Sequence, residues 1–167
     1  MIKKIFITIL LSVTLISNSY SAGSSSSGGE GDGPKTKTNY EKAVKFIKSA
    51  KKFEKKGKKD KAQSSYEKAL KLLLKSNTKK PNKPDTLNYL GFTSRKLGDF
   101  ENGEKYYLQG LAINPYHIGI NEYLGELYVA TNRHNLAVER LEVLKGCDCK
   151  EYDDLKAIIA GEKVSKY

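Results

Sequence analysis

A pattern repeated at a spacing of 34 residues constrains this chain more than any other feature of its sequence. Residues 88–100 (NYLGFTSRKLGDF) read as an amphipathic helix from Tyr89, Leu90, Phe92 and Leu97. Gly91 nevertheless sits inside it, where glycine costs about 1 kcal/mol against alanine. Residues 122–134 (EYLGELYVATNRH) repeat the choice at Gly125. In register, residues 84–117 pair with 118–151: Tyr89 with Tyr123, Leu90 with Leu124, Gly91 with Gly125, Gly98 with Asn132, Gly103 with Ala137 and Tyr107 with Leu141. Gly98 and Asn132 mark a turn, so each unit is two helices. The internal glycines then have a packing purpose, because a residue without a side chain lets two antiparallel helices approach. Gly91 is expected to face the second helix of its own unit near Gly103, and Gly125 to face Ala137.

A more degenerate unit lies upstream, with Gly57 as its turn. Phe46, Ala50 and Phe53 mark its first helix, and Ala62, Tyr66 and Ala69 its second. Residues 76–85 (SNTKKPNKPD) carry two prolines and two asparagines, a composition that predicts a longer loop before the next unit. Past residue 151, Tyr152, Leu155, Ile158 and Ile159 share one helical face, and Gly161 reads as its stop. A repeat array needs such a terminal element with one wet face.

A 34-residue unit of two helices with small residues at its eighth and twentieth places resembles the tetratricopeptide repeat. The resemblance is most specific over DTLNYLGFTSRKLGDFENGEKYYLQGLAINP. The third unit departs from the pattern with Asn121 for an apolar residue, His134 for an aromatic one and Leu144 for a small one. The expected architecture is all-α, a right-handed superhelical stack of repeats with a C-terminal capping helix. Its parts are a signal peptide at 1–21, a flexible linker at 22–38 and repeat 1 at 39–76. A loop at 77–83, repeat 2 at 84–117, repeat 3 at 118–150 and the cap at 151–167 follow.

The resemblance also implies a concave groove, lined by the first helix of each unit, that binds a protein or peptide partner. The implied groove positions are Val44, Ile47, Lys51 and Glu54, then Asp85, Asn88, Phe92 and Arg95, then Gly119, Glu122, Glu126 and Val129. Among them Asn88, Phe92, Arg95, Glu122, Glu126 and Lys51 are the candidate partner-binding residues. Asn88 and Arg95 would fix a backbone or carboxylate, with Phe92, expected at a wet position, as the apolar anchor.

The N-terminus points to export. Met1, Ile2, Lys3 and Lys4 precede an apolar run at residues 5–16, and Ser19 and Ser21 stand three and one before a cut ahead of Ala22. That is the three-part pattern of a secretory signal peptide, which places the mature chain in the periplasm or outside the cell. Residues 22–38 are nearly all glycine, serine and charge. Gly28 and Gly33 there imitate a phosphate-binding loop, but Pro34 breaks the required Gly-Lys step.

Charge is uneven. Residues 35–83 hold 18 lysines against 4 acidic residues, whereas 84–167 hold 10 basic against 13 acidic. A basic end of this kind suggests nucleic acid, which the exported compartment disfavours, or attraction to anionic membrane or envelope polymer. The latter is the alternative function.

Cys147 and Cys149 are the only cysteines and, in an oxidising compartment, are expected to bond and pin the turn into the last helix. Free thiols, a redox-active pair and a soft-metal site for Cu(I) are the other readings, and they would make the chain a thiol- or metal-handling protein. His117 falls at an inter-repeat turn and His134 at a half-buried packing place. No nucleophile–base arrangement stands out, so the chain is expected to be a noncatalytic adaptor that needs no cofactor.

Overall fold

The computed structural model describes residues 37–165. The signal peptide and all but the last two linker residues therefore lie outside the described residues, as do Lys166 and Tyr167. Those described form seven helices and no strand: α1 (Asn39–Lys55), α2 (Lys59–Lys79), α3 (Pro84–Lys96), α4 (Phe100–Ile113), α5 (Ile118–Ala130), α6 (His134–Leu144) and α7 (Lys150–Ile159).

Local chemistry sets where the helices begin and end. Thr38 caps α1 in a reciprocal box: its Oγ1 accepts from the Glu41 amide at 3.2 Å, and its own amide donates to Glu41 Oε2 at 2.8 Å. Pro84 opens α3, where a missing N–H costs nothing. The Asp99 carboxylate caps α4 by accepting from the Asn102 amide at 3.1 Å. The turns marked by Gly98 and Asn132 both take left-handed backbone, at φ 87° and 59°. Asparagine tolerates that region better than most residues with a side chain.

The junction between repeats 1 and 2 differs from expectation. The seven residues at 77–83 do not all form a loop, because α2 continues to Lys79 and only Lys80–Lys83 connect it to α3. Neither Asn77 nor Thr78 breaks the helix, and Thr78 donates to the Leu74 carbonyl at 3.0 Å. The break comes at Lys80, which leaves the helical region, at φ −137° and ψ 82°, because Pro81 follows it.

Helices pack in antiparallel pairs, α1 with α2, α3 with α4 and α5 with α6, and α7 closes the end against α5 and α6. Successive first helices also touch one another, α1 with α3, α3 with α5 and α5 with α7. The second helices α2, α4 and α6 make no such contact among themselves. A stack whose first helices are close and whose second helices are splayed curves toward the first. The first helices therefore line the inner face.

Buried apolar positions follow the helical period, for example Ala43, Ile47 and Ala50 on α1 and Ala62, Tyr66, Ala69 and Leu73 on α2. Gly91 does face its partner helix. A Cβ there would stand 2.4 Å from the Tyr107 ring of α4, and one on Gly103 would lie 3.3 Å from the Gly91 carbonyl oxygen. Gly125 serves a different neighbour from the one expected. The side chain filling its space is Leu155 of α7, 2.6 Å from a built Cβ, and not Ala137. The third repeat absorbs its departures locally. Asn121 is fully buried, but its Nδ2 donates to the carbonyls of Pro115 and His117 at 3.0 and 3.1 Å, tying the inter-repeat turn to α5. Leu144 is buried, and His134 is exposed as the first residue of α6 rather than half-buried.

Candidate partner-binding face

The inner face is built where α1, α3 and α5 run side by side, and it brings all six candidate residues into one neighbourhood. Phe92 of α3 meets Tyr123 of α5 with ring centroids 5.1 Å apart, and Tyr66 of α2 edge-on at 6.0 Å. Lys51 of α1 lies over this aromatic seam, its Nζ 4.4 Å from the Phe92 centroid and 5.8 Å from that of Tyr123. Arg95 donates through Nη1 to the Tyr123 carbonyl at 2.5 Å and through Nη2 to Glu126 at 3.5 Å. Lys96 Nζ lies 2.5 Å from Glu54, which also accepts from the Tyr66 hydroxyl at 3.0 Å.

This arrangement corrects two roles expected for the groove. Phe92 is only 4 % exposed, so it fills the seam between successive first helices instead of standing wet. Arg95 is 2 % exposed and its fork is turned inward, onto a backbone carbonyl and a buried carboxylate. A guanidinium so engaged braces repeat 2 against repeat 3 and does not present itself to a partner's carboxylate. The same holds for Lys51, which is half-buried over the rings. Burial pulls its ammonium below the usual lysine value, partly offset by the nearby Glu122, Glu126 and Glu54.

Acceptors are left over. Asn88 is 9 % exposed, its Oδ1 is buried without a hydrogen-bond partner, and it lies against Gly119 of α5. Glu122, one turn beyond Gly119 on the same helix, is 8 % exposed and is held by no hydrogen bond or ion pair among the described residues. Its carboxyl is pushed up to about 8, first by burial and then by Glu126, Glu151 and Asp154, with Lys150 opposing. Glu126 is also raised by burial, but Arg95, Ser165 and Lys163 counter it. The chain after α7 reaches this face: Ser165 donates to Glu126 at 3.3 Å, and Lys163 pairs with Asp154, which Lys150 also holds.

Other features support the frame around the face. His117 caps α5 by accepting from the Ile120 amide on Nδ1 at 3.2 Å, and its Nε2 lies 3.1 Å from Asp85. One imidazole thus ties the starts of α3 and α5, a role that its position at a turn did not disclose. Arg133 holds Glu104 with two bonds, of 2.8 and 2.7 Å. No periodicity links that pair. Cys147 and Cys149 are bonded, with Cα atoms 5.2 Å apart, in the turn before α7. Among the described residues, no group of three or more His, Cys, Asp or Glu is placed to hold a metal ion.

The tetratricopeptide-repeat family model matches residues 50–72 and 85–117. No curated protein sequence matches the chain. Among solved structures, one described as the first TPR of Spaghetti (RPAP3) bound to HSP90 peptide SRMEEVD is similar. Its TM-score is 0.53 and its identity 19 %, over 77 % of this chain and 98 % of that one. The second and third helical units follow residues 84–151, so the fold continues the repeat beyond the stretch the family model matches. Two stretches of the chain thus match the tetratricopeptide-repeat model, and the described residues fold as an all-helical repeat stack like that of the structural neighbour.

Proposed function

We propose that this protein is a noncatalytic scaffold that holds an extended segment of a partner protein along its inner face, across α1, α3 and α5. The observation that carries the reading is the pair of nearly buried acceptors, Asn88 and Glu122, that have no hydrogen-bond partner among the described residues, beside the aromatic and ionic seam. Buried polar groups are normally paired, and an open one on the concave side of a repeat stack has a partner's polar groups as its natural complement. The structural neighbour was solved with a peptide bound, which supports the same mode. The role of the seam differs from the sequence expectation: Phe92 and Arg95 form its floor, and Asn88 and Glu122 lie beside it with little exposure. The leader pattern at residues 1–21 supports work in the cell envelope, outside the cytoplasm.

The test is to select peptides from a random displayed library on the full chain and titrate the winners. Wild type, Asn88→Ala and a triple variant of the exposed Lys52, Lys55 and Lys56 to glutamine are compared at low and raised salt. Asn88→Ala should weaken binding by about 1 kcal/mol or more, and the lysine variant should leave equilibrium affinity nearly unchanged. Loss confined to the lysine variant, together with abolition by salt, would replace this reading with surface attraction through repeat 1.

A further inference from the structure

We infer that the seam between α3 and α5 recognises a cationic side chain, arginine above all, of the partner segment, with Glu122 as the counter-charge and Asn88 Oδ1 as a second acceptor. The inference rests on the groove reading above and adds to it the chemical class of the ligand. Two observations point the same way. The cations of the inner face are already engaged within the chain: Arg95 by Tyr123 and Glu126, Lys96 by Glu54, Lys150 and Lys163 by Asp154, and Lys51 over the Phe92 ring. Among the described residues, Glu122 and the Asn88 side-chain carbonyl, which only accept, are unpaired and belong to side chains that keep some exposure, whereas the unpaired hydroxyls of Thr93 and Tyr107 belong to fully buried ones. Gly119 lets the Asn88 amide pack closely against α5, since a Cβ there would come within 2.9 Å of its nitrogen.

Charge beyond the contact agrees. Residues 84–167 carry 13 acidic against 10 basic groups, so the field around repeats 2 and 3 opposes an acidic segment, although the whole chain has a formal charge of +11. Both acceptors are more than nine-tenths buried, where a planar fork of fixed donors satisfies two acceptors better than a point charge. The bound peptide of the structural neighbour, SRMEEVD, has three acidic residues. The engaged arginine and lysines of this chain offer no counterpart for such a segment.

Binding should also take up the proton that Glu122 holds. The groups facing it are Tyr123 and Glu126 on its own helix, Lys51 from α1, Tyr107 from α4, and Lys150, Glu151 and Asp154 from α7. Burial and the acidic majority among the charged ones keep the carboxyl protonated near neutral pH, and an arriving guanidinium, which stays charged throughout, expels that proton. Affinity therefore rises with pH.

The experiment is an amide-shift titration of the full chain at about physiological salt. One probe is a blocked nine-residue peptide with arginine at alternate positions, and the other is its glutamate counterpart. The arginine peptide should shift amides at 86–92 and 117–126 saturably and bind at least about threefold more tightly at pH 9 than at pH 6. Glu122→Gln should flatten that pH profile and, with its melting temperature checked, weaken binding about tenfold at pH 9. Asn88→Ala, which removes no internal hydrogen bond, should weaken it without altering the pH profile. If the glutamate peptide occupies the seam instead, the groove stands and the cationic assignment is wrong. If neither peptide reaches the inner face while selected peptides map to α2, α4 or α6, the groove reading itself fails. A Glu122→Gln protein that binds the arginine peptide like wild type at pH 9 also overturns the inference.

Discussion

Glycine at position 91 shows how one residue decides the approach of two helices. Its built Cβ overlaps the Tyr107 ring, a buried aromatic that cannot swing aside, so even alanine forces a shift. Gly91→Leu should lower unfolding free energy by about 1–3 kcal/mol, read by urea denaturation. Melting at the wild-type temperature would place Gly91 away from its neighbour. Phe92 behaves as core: Phe92→Ala should cost about 3 kcal/mol of stability. An alanine variant as stable as wild type would return Phe92 to the open groove. Glu122 carries a pH dependence whose sign follows from its raised value. The folded state holds its proton more tightly than the unfolded chain, where the carboxyl titrates near 4.5, so its contribution is complete below that value and is lost as pH rises through about 8. Glu122→Gln should match wild type near pH 4 and exceed it by on the order of 1–3 kcal/mol at pH 9. A parallel pair of stability–pH curves would contradict the burial of this carboxylate.

At the scale of the element, helix existence and pairing were legible in the sequence, because apolar spacing, the Gly98 and Asn132 turns and Pro84 each act within a few residues. Contacts across repeats were less so. Gly125 meets Leu155 rather than Ala137 because the capping helix fills the space beside α5, and only the packed stack shows that. The placement of Asn88, Phe92 and Arg95 on one face followed from helical spacing, but their burial did not, since it depends on how closely α1, α3 and α5 approach. Arg95 read as a surface fork for the same reason: its partners, the Tyr123 carbonyl and Glu126, lie a whole repeat away. The Cys147–Cys149 bond spans one residue and closes almost no loop, so reducing it should shift the melting temperature only slightly, by about 2 °C or less. A large drop on reduction would mean that the bond holds α7 in place and is not a local pin.

The described residues form a short curved stack whose inner face carries aromatic and ionic packing with two unpaired acceptors, and whose basic charge is gathered on repeat 1. No described helix is long and apolar enough to cross a membrane. On the function proposed above, partners lie along the inner face. Site-specific photo-crosslinking tests it most directly, with a photoreactive residue placed singly at exposed inner positions, Glu54 and Asp85, or at exposed outer ones, Leu108 and Val138. Against a library-selected peptide, and then against the partner it leads to, the inner positions should give the adducts and the outer positions none. Adducts from Leu108 or Val138 with none from Glu54 or Asp85 would contradict the account.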